Sequence, residues 1–133
     1  MKKHIKRQPI KFIGYGGNGN QVRDALHIED LNILILKQIL NISRINNLTL
    51  NVGGGLRNKI SLRDLTKKCE KITNNVCKKS KIKTTSNYDI PYYVTDIKMV
   101  KKLYKWIPKK NINIILKDIY KWLIRNKNLI NKF

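Results

Sequence analysis

Residues 21–31, Q-V-R-D-A-L-H-I-E-D-L, decide how this chain is read. From Val22 to Ile28 apolar and polar side chains alternate loosely, the two-residue period of a strand over 22–28. Glu29 then opens a different pattern. Leu31, Leu34, Ile35, Gln38, Ile39 and Ile42 fall near a 3.6-residue period, which predicts a helix over 29–42. Glu29 and Asp30 stand in its first turn, where carboxylates complement the helix dipole. A strand running straight into a helix points to mixed α/β architecture. Within that strand Arg23 is adjacent to Asp24. A guanidinium at a strand end can grip a diphosphate bidentately, or it can form a structural pair with a carboxylate. The residues alone leave both open.

Outward from this segment, strand and helix signals continue to mix. Residues 10–13 form a short apolar strand that ends in G-Y-G-G-N-G-N, and residues 48–52, L-T-L-N-V, form another that stops at Gly53, Gly54 and Gly55. Ser61-Leu62-Arg63-Asp64 has the form of an N-cap, and Leu62, Leu65, Cys69, Ile72 and Val76 follow at helical spacing. Residues 78–87 are a polar connection with a short strand at 82–85. Residues 92–94 are extended, and Thr95 or Asp96 can cap a helix carrying Ile97, Val100 and Leu103 that Trp106-Ile107-Pro108 breaks. A last helix begins near Asn113 and stacks Ile115, Ile119 and Trp122 or Leu123 on one side. Trp106 and Trp122 occupy positions where this periodicity predicts burial as core anchors.

The 133 residues fit one domain, and 41% hydrophobic content is enough for a packed core. The 29 Lys+Arg against 8 Asp+Glu give a net charge of +21, a field that attracts phosphate at low salt. The lysines are spread along the chain rather than gathered into one arm, so compositional bias is the favoured source and nucleic acid the less favoured partner. Cys69 and Cys77 read as reduced core thiols. His4 and His27 have no metal-ligand spacing, so no metal site is expected. With no spanning apolar run and no h-region after the N-terminal basic residues, a cytoplasmic chain without membrane contact is expected.

Gly14-Tyr15-Gly16-Gly17-Asn18-Gly19 matches G-x-G-x-x-G, but extended residues follow it where a dinucleotide fold needs a helix. Asp30 also comes too early to meet a ribose. A glycine-rich turn between strands is the better reading. Gly53–Gly55 lacks the G-K-[ST] of a phosphate loop. No Ser/His/Asp or comparable catalytic arrangement emerges, so no catalytic residue is assigned.

The ordered series carries more than any single motif. A strand, the glycine turn, Q-V-R-D-A-L-H-I-E-D-L, a helix, L-N-V-G-G-G and an S-L-x-x-L helix come first. Y-D-I-P-Y-Y-V-T-D and W-x-P-K-K close the series. From about Ile10 to Leu123 this order resembles the C-terminal part of extended short-chain dehydrogenase/reductase nucleotide-sugar epimerases and dehydratases, most nearly the CDP-paratose (CDP-tyvelose) 2-epimerase branch. The resemblance implies an α/β substrate-binding lobe of an extended Rossmann-type enzyme, with mixed strands and about four helices. It would be a single partial domain over 1–133, with 1–9 a basic N-terminal segment. It implies that Arg23 grips the diphosphate of a nucleotide-sugar substrate, that Asp89 positions the nucleotide, and that Gln21 belongs to the same site. The family's second arginine, three residues before that aspartate, is replaced by Ser86.

NAD is implied for the complete enzyme. However, the family's catalytic Tyr-x-x-x-Lys occurs nowhere in the 133 residues, so this chain is expected to be inactive alone. A separately encoded NAD-binding lobe and self-association are the partners expected. The alternatives are a basic nucleic-acid-binding module and a non-functional gene remnant.

Overall fold

The computed structural model describes residues 1–130. In chain order the elements are α1 (Lys2–Ile5), β1 (Ile10–Ile13), β2 (Val22–Asp24), α2 (Ile28–Leu40), β3 (Lys59–Ser61), α3 (Leu62–Thr73), β4 (Lys79–Ile82), α4 (Lys98–Tyr104), α5 (Ile112–Arg125) and α6 (Lys127–Ile130). Two 3-10 turns, Tyr15–Gly17 and Leu56–Asn58, follow β1 and precede β3. The architecture is the mixed α/β one expected, with α2 to α5 as the four longer helices.

The strands form two narrow sheets. β1 and β4 are parallel, with Ile10 opposite Lys79 and Ile13 opposite Ile82. β2 and β3 are antiparallel, with Val22 opposite Ser61 and Asp24 opposite Lys59, and a parallel bridge joins Val22 to Tyr92. Successive residues on an extended chain face opposite ways. Ala25 accordingly packs with Cys69, Ile112, Ile115 and Leu116 of α3 and α5, while Leu26 packs with Leu34, Val100, Tyr104 and Trp106 around α2 and α4. The short segment after β2 is thus the partition between two small cores. Asp30, 2% exposed, ties the second core together: its carbonyl accepts the Trp106 indole N–H at 2.9 Å and its Oδ2 accepts the Lys110 amide at 2.9 Å.

Several elements differ from the sequence expectation for identifiable reasons. The strand at 22–28 ends at Asp24, because His27 serves as the α2 N-cap, its Nδ1 accepting the Glu29 amide at 3.1 Å. Residues 48–52 make no ladder. No described strand lies alongside them, yet Leu50 and Val52 still turn inward onto the α2/α4 core. The strand expected at 82–85 lies three residues earlier, at Lys79–Ile82, where β1 supplies the partner. α3 stops at Thr73, with Asn74 in the left-handed region (φ 53), so Val76 leaves the stripe and is 79% exposed.

On α5 the buried positions are Ile112, Ile115 and Leu116. Trp122 is 54% exposed and is no core anchor, whereas Trp106 is one at 3%. Ile119 is also partly exposed, at 42%. Cys69 and Cys77 are both free and buried. Among the described residues no helix is long and apolar enough to cross a membrane.

Candidate functional site

The glycine turn after β1 builds one wall of the site. The Gly14 amide donates to the Ile82 carbonyl at 2.9 Å, which carries the β1–β4 ladder one step into the turn. Gly14 has φ +80, a conformation that favours glycine. A Cβ there would stand 3.3 Å from Gln21 Nε2 and 3.4 Å from Asp89 Oδ2, so a bare backbone is what lets these two residues close in. Tyr15, itself at φ 46, donates its amide to Thr85 Oγ1 at 2.8 Å and its hydroxyl to the Asp89 carbonyl. The residues 86–89 form a turn closed by the Asp89 amide on the Ser86 carbonyl at 3.0 Å. Tyr15 therefore pins both ends of the segment that presents Asp89. Sequence reasoning missed this; the only signal was an aromatic residue set within a glycine run.

Three side chains singled out from the sequence meet here. Arg23 donates from Nη2 to Asp89 Oδ1 at 2.9 Å and from Nη1 to the Val22 carbonyl at 2.8 Å. The side chains of Arg23 and Asp89 are 44% and 31% exposed. A guanidinium has five N–H donors, so three of those of Arg23 are uncommitted and solvent can reach the group. Gln21 donates from Nε2 to the Ile13 carbonyl, while its Oε1 is buried without a hydrogen-bond partner. Ser86 is exposed beside this cluster.

Asp24, adjacent to Arg23, turns to the other face of the strand and acts as a clamp. Its Oδ1 accepts the amide and the hydroxyl of Thr95, each at 3.2 Å, and its Oδ2 accepts the Gly55 amide at 2.8 Å. Gly53 and Gly54 fit only without side chains: a Cβ would fall 2.3 Å from Thr95 Oγ1 or 2.0 Å from the Ala25 carbonyl oxygen. The 53–55 glycines thus serve close packing, and no open phosphate cradle is left at them. The first glycine turn is likewise filled, since a Cβ on Gly17 would come within 2.6 Å of Lys81 Cβ. It runs into extended chain and β2, with no helix N-terminus to face a pyrophosphate, so it does not fit NAD.

No protein-family model matches the chain. A curated relative, the CDP-paratose 2-epimerase of Salmonella typhi, is 33% identical over 118 residues, 89% of this chain and 35% of that protein. The chain thus resembles NAD-dependent nucleotide-sugar epimerases and dehydratases over part of their length. Solved structures of such enzymes share the fold of this chain. An epimerase from Methanothermobacter thermautotrophicus matches 98% of it with a TM-score of 0.82, 18% identity and 37% of its own chain. UDP-glucuronic acid 4-epimerase from Bacillus cereus, solved with UDP-glucuronic acid and NAD, matches 93% with a TM-score of 0.80, 21% identity and 38% of its own chain. dTDP-glucose 4,6-dehydratase from Bacillus anthracis, in complex with NAD, matches 95% with a TM-score of 0.73, 18% identity and 38% of its own chain. The chain spans about a third of the length of the curated relative it matches.

Proposed function

We propose that this chain is the substrate-binding portion of an NAD-dependent nucleotide-sugar epimerase of the CDP-paratose 2-epimerase kind. Arg23 holds the diphosphate, Asp89 positions the nucleotide, and Gln21 completes the site. The observation that carries this reading is the Arg23–Asp89 pair: a partly exposed guanidinium oriented by a carboxylate, with three donors left for phosphate oxygens. The chain's own residues orient and retain the substrate. Hydride transfer falls to an NAD-binding lobe with a Tyr-x-x-x-Lys, outside these 133 residues. The outer face of α2 supports such a partner, because Leu36 and Leu40 are 59% and 81% exposed on a helix whose opposite side is already packed.

Titration calorimetry with CDP- and UDP-sugars tests the reading. The chain is expected to bind, and Arg23→Ala to weaken binding about 10- to 100-fold, the scale of a lost charge-assisted contact. Ser86→Arg restores the family's second guanidinium and is expected to tighten binding. Equal affinity of the parent and Arg23→Ala would sink the assignment of Arg23.

A further inference from the structure

We propose that the groove formed by β3, the Leu56–Asn58 turn and the start of α5 binds a single-stranded nucleic acid, at a site separate from the Arg23 cluster. Its central section is a cavity of about 650 Å³ lined by Arg57, Lys59 and Lys68 together with Tyr92. A neighbouring cavity of about 500 Å³ shares Lys68 and Asn113 with it and adds Lys71 and Lys117. On the other side a cavity of about 480 Å³ shares Arg57 and Tyr92 and adds Lys98 and Lys101. The three run together as one track with cations in every section.

Two carboxylates, Asp64 and Asp96, line the track against seven cations. Asp64 accepts the Ser61 hydroxyl at 2.7 Å, and Asp96 accepts the Lys98 amide at 2.9 Å and pairs with Lys98 Nζ at 3.6 Å. Cations outnumber carboxylates along the groove, so its field is positive over a length that suits a series of phosphates better than a single one.

Tyr92 distinguishes a nucleic acid from a bare polyphosphate. Its ring is half exposed at the centre of the track, with Lys59 Nζ 5.9 Å from the ring centroid. With Lys59 over one face of the ring, the other face can stack a base while the flanking cations neutralise adjacent phosphates. A duplex keeps its bases stacked on one another and could not use the ring. Val22 lines the central cavity and Arg23 does not, in keeping with alternation along β2, so the two sites lie back to back on one strand.

The experiment is fluorescence anisotropy of the full chain with a labelled 15-mer oligouridylate, beside a polyphosphate of similar length, at physiological salt. The oligouridylate is expected to bind with log K falling linearly in log salt. Tyr92→Ala should weaken it about tenfold, the scale of one lost stacking contact, with Tyr92→Phe retaining affinity and polyphosphate binding unchanged. Simultaneous replacement of Arg57, Lys59 and Lys68 by Ala should weaken it more than replacement of Lys78, Lys121 and Lys127, which removes the same charge outside the groove. Retained nucleotide-sugar affinity in the groove variants checks their fold. Equal losses from the two triple variants, indifference to Tyr92→Ala, or no binding at physiological salt would each overturn the proposal.

Discussion

Asp24 has the densest set of polar contacts near the candidate site, and none of them reaches a ligand. Its carboxylate accepts three hydrogen bonds, from Thr95 and Gly55, and so joins β2 to two loops about 30 and 70 residues further along the chain. Asp24→Asn keeps the shape but replaces one acceptor oxygen with a donor facing N–H groups. The expected loss is about 2 kcal/mol in chemical denaturation, with weaker nucleotide-sugar binding as a secondary effect. His4 offers a second measurement at this scale. It is 3% exposed, and neither ring nitrogen has a partner. Burial lowers its pKa below 6.5, the N-terminal ammonium and Lys79 act in the same direction, and Glu70 opposes them. The unfolded chain therefore binds the proton more readily than the folded one. His4's contribution is complete above pH 6.5 and declines as pH falls from 6.5 toward the lowered folded value. Urea midpoints should drop between pH 7.5 and pH 5, and His4→Leu should shrink that drop. An undiminished drop in His4→Leu would assign it to other groups.

Among the elements, the helices are the most legible from sequence. Ser61 announces the start of α3 as a cap and accepts the Asp64 amide as expected; Asn111, which the sequence reading did not single out, caps α5 in the same way. Periodicity fixes which side is apolar, but burial also needs an opposing element. Val76 and Trp122 have the right spacing and nothing described to meet them. Strands are less legible because a ladder partner can be far away. Residues 79–82 become a strand only against Ile10–Ile13, and residues 48–52 have the composition without the partner. The candidate site divides in the same way. Arg23 stands out locally beside Asp24, while its ionic partner Asp89 lies 66 positions on, within reach of sequence analysis only through family resemblance. The loop at 53–55 gives the sharpest test at this scale. Gly54→Ala would drive a methyl group to 2.0 Å from the Ala25 carbonyl oxygen, a backbone atom that cannot swing aside. A loss of more than about 3 kcal/mol or failure to fold is expected, and a melting temperature within 2–3 °C of the parent (roughly 1 kcal/mol) would contradict the packing.

The molecule as a whole leaves much apolar surface uncovered. On α2 alone Ile33, Leu36, Ile39 and Leu40 are between 42% and 81% exposed, alongside two sheets of two strands each. Strong net positive charge opposes association at low salt, and screening removes that protection as ionic strength rises. Expressed by itself, the chain is expected to bind ANS and to self-associate increasingly with salt. Leu36→Glu with Leu40→Glu should reduce both without lowering the melting temperature. A parent that is monomeric at high salt and dark to ANS would contradict an uncovered docking face.

The β1–β4 ladder has a further consequence, for biosynthesis. The register partner of β1 emerges from the ribosome about seventy residues after β1 itself, a delay of roughly 4–14 s at ordinary translation rates. Throughout that interval Ile10, Phe12 and Ile13 remain an unpaired nascent strand, and the glycine turn that frames the Arg23 cluster has no Ile82 carbonyl to anchor Gly14. The candidate site therefore closes late in synthesis, and nascent-chain chaperones would be needed most in the window before β4 appears.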